Sequence, residues 1–233
     1  MPFGIETQKQ IYDYCDNHLA DGNWYLSEFD FITDQNLRDR LVKEYRAIRF
    51  AYKLYEGIEA KEENLIFEIR AQILSYATIY EAVIHYVLFN YYSETSEFEK
   101  MSNHVIPIRI DIPKHKLEIL SKELEHDSKE IVPFYYGTKK KDEVSIRFDE
   151  KCKTAERLGL IHIFQNEKGE QVNLPKEIIE IYSYRNGIHL VAEQRKGIQY
   201  ELELSKKAYW RMRPFIDQVK EQLIKDNKWK PNI

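Results

Sequence analysis

Apolar residues recur along most of this chain at three- and four-residue steps, the period of an amphipathic helix. Residues 5–19 place Ile11, Tyr14 or Cys15 and His18 on one side, and Asp21-Gly22-Asn23 follows as a stop. Residues 24–32 carry no period but are rich in aromatics, which predicts an irregular segment packed against the rest. Thr33 or Asp34 suits the cap of a helix running to about Tyr55, with Leu37, Leu41, Tyr45, Ile48, Tyr52 and Tyr55 in register and Gly57 at its end.

Residues 64–92 are apolar nearly all round, the mark of a central helix. One line reads Ile66, Ile69, Ile73, Tyr76, Tyr80, Val83 and Val87; its neighbour reads Arg70, Leu74, Ala77, Glu81, Ile84 and Leu88. Glu81 is therefore a carboxylate on a buried-looking face that needs a partner. Residues 105–113 alternate like an extended segment, and Pro107 and Pro113 restrict it to an edge or a connection. A helix is expected over 114–125, and a basic loop over 128–144 with Lys139-Lys140-Lys141 in it.

The helical period returns at Phe148, Cys152, Ala155 and Leu158, with Gly159 just past the end. Short strands over 161–164 and 171–173 flank the turn at Gln165–Gly169. A helix is expected over 174–194, a strand over 198–204, and a last helix from Ser205 to about Asp226 with a kink at Pro214. These elements predict a mainly α protein, a helical bundle with short β and loop insertions. They divide into an N-terminal helical extension, 1–60, and a bundle, 61–233, interrupted by an insertion at about 94–146.

Composition narrows the class. The 233 residues are 32% charged and 43% hydrophobic with eight Gly and seven Pro, which suits long regular elements. A net charge of −4 argues against broad coating of nucleic acid but leaves room for a local site. Cys15 and Cys152 lack metal-ligand spacing, seven scattered histidines make no zinc pattern, and no nucleotide-binding glycine loop occurs. The expectation is a cytoplasmic protein with no metal or cofactor and no membrane span; Glu81 and His85 interrupt the one long apolar stretch.

The sharpest clue is Tyr182-Ser183-Tyr184-Arg185-Asn186-Gly187-Ile188-His189-Leu190. The seam Leu174, Ile178, Ile181, Ile188, Ala192 has a gap, and Arg185 fills it. A guanidinium there is costly unless paired, and Glu81 is the simplest partner. His189, four residues on, belongs on nearly the same face of a continuous helix. A permanent cation beside a group that titrates near neutrality suits work on a phosphate.

Arg185-Asn186-x-x-His189 resembles the motif of the HEPN superfamily. The phrase Leu158–Ile161, the run Ile181–Leu190 and the upstream stretch Tyr76–Phe89 with Glu81 are similar to HEPN-like bacterial proteins. Residues 1–60 and 105–144 lie outside the likeness. Family members usually place more residues between Arg and His than the three found here. The resemblance implies a HEPN-like bundle and a metal-independent endoribonuclease, of the kind found among toxins and phage-defence effectors. His189 would take the 2′-hydroxyl proton or protonate the leaving oxygen, and Arg185 would stabilise charge on the phosphorane. Asn186 would hold the phosphate or orient His189, with Glu81 and Tyr182 as supporting or substrate-binding residues. The implied partners are RNA, a second copy of the chain whose motif lines the same cleft, and an antitoxin or other protein. The alternative is a non-catalytic HEPN-like module that binds a nucleotide, RNA or a protein, with Arg185 simply paired to Glu81.

Overall fold

The structure is a computed structural model and describes residues 1–124, 127–187 and 199–231. The protein is mainly helical, with two small antiparallel sheets. Its chain forms two compact units, Met1–Ser93 with Phe148–Ile233, and Glu94–Arg147.

In the larger unit, α4 (Glu62–Tyr91) is the axis. Ile69, Ile73, Tyr76, Tyr80, Val83 and Val87 from its expected seam are buried, as are Ala77, Ile84 and Leu88 from the adjacent line. Ile66 and Leu74, near its N-terminal end, remain exposed. Packed against α4 are α3 (Gln35–Gly57), α7 (Phe148–Arg157), α8 (Leu174–Arg185) and α9 (Leu202–Trp210). The N-terminal helices α1 (Ile5–Asn17) and α2 (Gly22–Glu28) pack on α3, and α10 (Met212–Lys225) follows α9.

Tyrosines carry much of the internal bonding. Tyr25, Tyr45, Tyr76 and Tyr80 are almost wholly buried, deeper than the core-edge position that their amphipathic character suggests. The Tyr80 hydroxyl donates to the Ala208 carbonyl at 2.8 Å, and that of Tyr91 to the Phe31 carbonyl at 2.6 Å. Tyr25 and Tyr45 meet edge-to-face with centroids 5.4 Å apart, which ties α2 to α3. Arg213 of α10 reaches the buried Glu28 of α2 at 2.6 Å.

Several local expectations need correction. Residues 22–28 are helical rather than irregular: Asp21 accepts from the Asn23 N–H as the N-cap of α2, so the polar cluster that stops α1 also starts the next helix. The expected strand over 198–204 is contradicted from Leu202 onward, where α9 begins after Glu201. Ser205 is therefore inside α9, and its hydroxyl donates to the Leu202 carbonyl. The last helix is broken at Arg211 rather than bent at Pro214. Proline has no N–H for the Trp210 carbonyl and its ring crowds that group, so the break falls one turn earlier and Pro214 sits in the first turn of α10.

In the smaller unit, α5 (Ser96–Ser102) leads into β1 (Asn103–Arg109), and α6 (Lys114–Glu123) precedes β2 (Phe134–Lys140). The strands pair antiparallel from Asn103–Lys140 to Arg109–Phe134. Part of the expected basic loop is thus strand β2. Both strands of this two-stranded ribbon are edges, which is why Pro107 is tolerated within it. In the larger unit, β3 (Ile163–Gln165) and β4 (Gln171–Asn173) make a short hairpin ahead of α8.

Candidate functional site

Arg185 is placed by α8. The Asn173 side chain caps this helix by accepting from the Lys176 N–H, and Pro175 sits in its first turn. Leu174, Ile178 and Ile181 bury one face. Three residues beyond Ile181 and one further, the face that looks to α4 carries Arg185. Glu81 stands on α4 at a half-buried position, between the buried Tyr80 and Val83.

The two charges meet: Arg185 Nη1 lies 3.3 Å from Glu81 Oε2. Tyr182, one turn before Arg185, joins them. Its hydroxyl donates to Glu81 Oε1 at 3.0 Å and accepts from Arg185 Nη1 at 2.6 Å. The guanidinium carbon also lies 5.0 Å from the Tyr182 ring centroid. Phe148 of α7 packs on Tyr182, with ring centroids 4.1 Å apart. Burial raises the Tyr182 phenol's pKa first, the bond to Glu81 and its charge add to that, and Arg185 opposes them. The phenol therefore remains a proton donor to the carboxylate.

Arg185 and Glu81 are about one-third exposed, 32% and 30% of their side chains. Among the described residues, Arg185 uses Nη1 alone for its hydrogen bonds, so Nε and Nη2 remain for another group. Among the described residues this is a cation held at one corner.

Asn186 is exposed and is the C-cap of α8, its backbone N–H directed to the Tyr182 carbonyl. Helix α8 ends at Arg185, and Asn186 and Gly187 form a turn; the remainder of the helix expected over 174–194 lies outside the described residues. The continuous helical register that put Arg185 and His189 on one face stops there. His189 lies outside the described residues.

One turn along α4 from Glu81, His85 Nδ1 is 3.1 Å from Nζ of Lys151, a buried lysine of α7. The His85 ring stacks on Phe89 with centroids 4.3 Å apart. Neither Phe148 nor Lys151 was marked by the motif. Tyr182, expected as a supporting or substrate-binding residue, stands three residues before Arg185, a step that puts two helical side chains side by side. Cys152 is wholly buried, and desolvation first, then nearby carboxylates, push its thiol well up, so it is no nucleophile.

Among the described residues no three His, Cys, Asp or Glu side chains are grouped as a metal site, and no helix is long and apolar enough to cross a membrane. No family model, curated protein or solved structure matches the chain.

Proposed function

We propose that the protein is a metal-independent endoribonuclease of HEPN type, with Arg185 as its phosphate-binding cation and His189 as its acid–base group. The observation that supports this reading is the half-open guanidinium of Arg185. Glu81 and Tyr182 engage a single nitrogen of it. Such a clamp fixes the side chain before substrate arrives, so less rotamer freedom is lost on binding. The remaining N–H groups match the fork that a phosphate accepts.

In this reading His189 removes the 2′-hydroxyl proton, the oxygen attacks the adjacent phosphorus, and the 5′-oxygen leaves with a proton. Arg185 gathers the charge that builds on the phosphoryl oxygens, and Asn186 holds the phosphate or orients the imidazole. The products carry a 2′,3′-cyclic phosphate. A second copy of the chain brings its own motif to the same cleft, and RNA is the substrate; an antitoxin-like protein partner belongs to the same reading.

A second reading is a non-catalytic module that binds RNA, a nucleotide or a protein. It is favoured by the neutralisation of Arg185 by Glu81 and by the end of α8 before His189. End-group analysis of RNA incubated with purified protein and a chelator separates the two. Cyclic-phosphate ends that depend on Arg185 support the nuclease; RNA retained intact in a complex supports the module.

A further inference from the structure

A second polar site lies elsewhere in the larger unit, where α3, α4 and α9 converge. A cavity of about 210 Å³ is lined by Arg49, Lys53, Gln72, Lys206, Tyr209 and Trp210, with Tyr52, Glu56 and Ser205 completing it. It shares no residue with the Arg185 cluster. Gln72 precedes Glu81 by nine positions on α4, about 14 Å at 1.5 Å per residue.

Three features give this cavity a chemistry. Its lining holds three cations, Arg49, Lys53 and Lys206, against one carboxylate, Glu56. Lys53 pairs with Glu56 at 2.5 Å and Lys206 with Glu203 at 2.9 Å. Glu203 is 68% exposed, so water competes for that pair and Lys206 is available to a bound anion. Arg49 lies over the Tyr209 ring at 3.8 Å, which fixes its guanidinium in place.

The second feature is aromatic. Tyr52 and Tyr209 line the cavity, and Trp210, 53% exposed, stands with them. An indole left half in water beside a cationic depression is a ready stacking surface. The third is Gln72, which is only 3% exposed and yet lines the cavity. Its Nε2 donates to Glu68, itself buried one turn earlier on α4. That bond fixes the amide so that Oε1 is the acceptor left over, and among the described residues nothing donates to it. An amide oxygen held in place at the cavity wall can accept from a ligand hydroxyl.

We propose that this cavity binds a small aromatic acid bearing a hydroxyl group: a single ring stacked against Trp210 and Tyr209, its anion met by Lys206 and Lys53, its hydroxyl donating to Gln72 Oε1. The volume sets the size. Pockets for drug-sized ligands run from about 300 to 1,000 Å³, so this one takes a single ring and not a larger molecule. The proposal is independent of the nuclease reading, because it uses none of the same residues.

Isothermal titration calorimetry of the intact protein with 4-hydroxybenzoate tests it, with benzoate, phenol and acetate as controls. Saturable binding of 4-hydroxybenzoate at millimolar concentration is expected, with phenol and acetate weaker by about tenfold or more and benzoate intermediate. Lys206→Glu, a surface change, should weaken binding by about tenfold or more. Gln72→Leu should erase the preference for 4-hydroxybenzoate over benzoate; if that variant does not fold, the Lys206 result decides. Absence of binding, equal binding of phenol or acetate, or binding unchanged by Lys206→Glu would each overturn the proposal.

Discussion

Arg185 and Glu81 form an ion pair between α8 and α4 that is neither buried nor free: 3.3 Å separates them, and each keeps about a third of its side chain in water. That places the pair between two regimes. Removing one partner of a buried pair costs about 3–5 kcal/mol, whereas an exposed pair is worth about 0–1. Lone charges on apolar seams suggested the first; the observed exposure moves the expectation down. Glu81→Gln should therefore lower unfolding stability by about 1–2 kcal/mol. Urea titration of parent and variant measures this, and a loss above about 3 kcal/mol would mean that the carboxylate supports more than Arg185 and Tyr182.

Glu68 predicts a dependence of stability on pH. Burial raises its pKa to about 7, while the bond from Gln72 pulls the other way. A carboxyl whose folded pKa lies above its unfolded value keeps its proton in the native state over the interval between them. The native state then binds more protons than the unfolded one, so stability falls as pH rises from the ordinary carboxylate range to about 7 and is level beyond it. The fall is at most about 3 kcal/mol. Glu68→Gln should abolish that slope and be the more stable protein at about pH 8. Parallel pH profiles for the two proteins would rule the carboxyl out as its source.

Arg213 supports the N-terminal segment. It bonds Glu28, whose carboxylate is nearly inaccessible and whose pKa is raised chiefly by burial, with Arg213 opposing. Arg213→Ala should cost about 1–3 kcal/mol by leaving that carboxylate without its guanidinium. Glu28→Gln in the same background should recover part of the loss in a thermal melt. No recovery would place the cost in packing by the arginine stem instead.

Gly159 ends the turn after α7 with φ of +77°, and a Cβ there would meet the Gln222 side chain at 3.1 Å. Gly159→Ala should destabilise by about 1 kcal/mol or more, through the left-handed backbone and not through lost helix propensity. Gly159→Asn, which tolerates that backbone better, should cost less. The order of the two melting temperatures checks it.

How far the sequence carried depended on the kind of signal. Helix α4 was legible because an apolar surface nearly all round has one common explanation, a central position. The caps at Asp34 and the proline in the first turn of α8 were legible because they are local chemistry. Helix α2 was missed because Asp21-Gly22-Asn23 reads equally as an end and a start. Strand β2 was hidden by Gly137 and a lysine run. Alternation before Ser205 suggested a strand, yet Leu204 and Ala208 are buried one helical turn apart; over so few residues the two periods overlap. The Arg185–Glu81 pair was inferable, since each was a lone charge on an apolar line. Tyr182 was expected as a supporting or substrate-binding residue, but neither its hydroxyl bridge nor the Lys151–His85 contact was legible, because nothing in the spacing marks which of many polar side chains meet across helices.

The most direct test of the central claim is RNA cleavage by parent and His189→Ala proteins, purified identically and assayed on mixed cellular RNA with a chelator present. The account predicts cleavage by the parent and a rate lower by about 10²–10⁴-fold in the variant, with melting temperatures alike. Equal rates in the two preparations, or intact RNA in both across a broad panel of substrates, would contradict it.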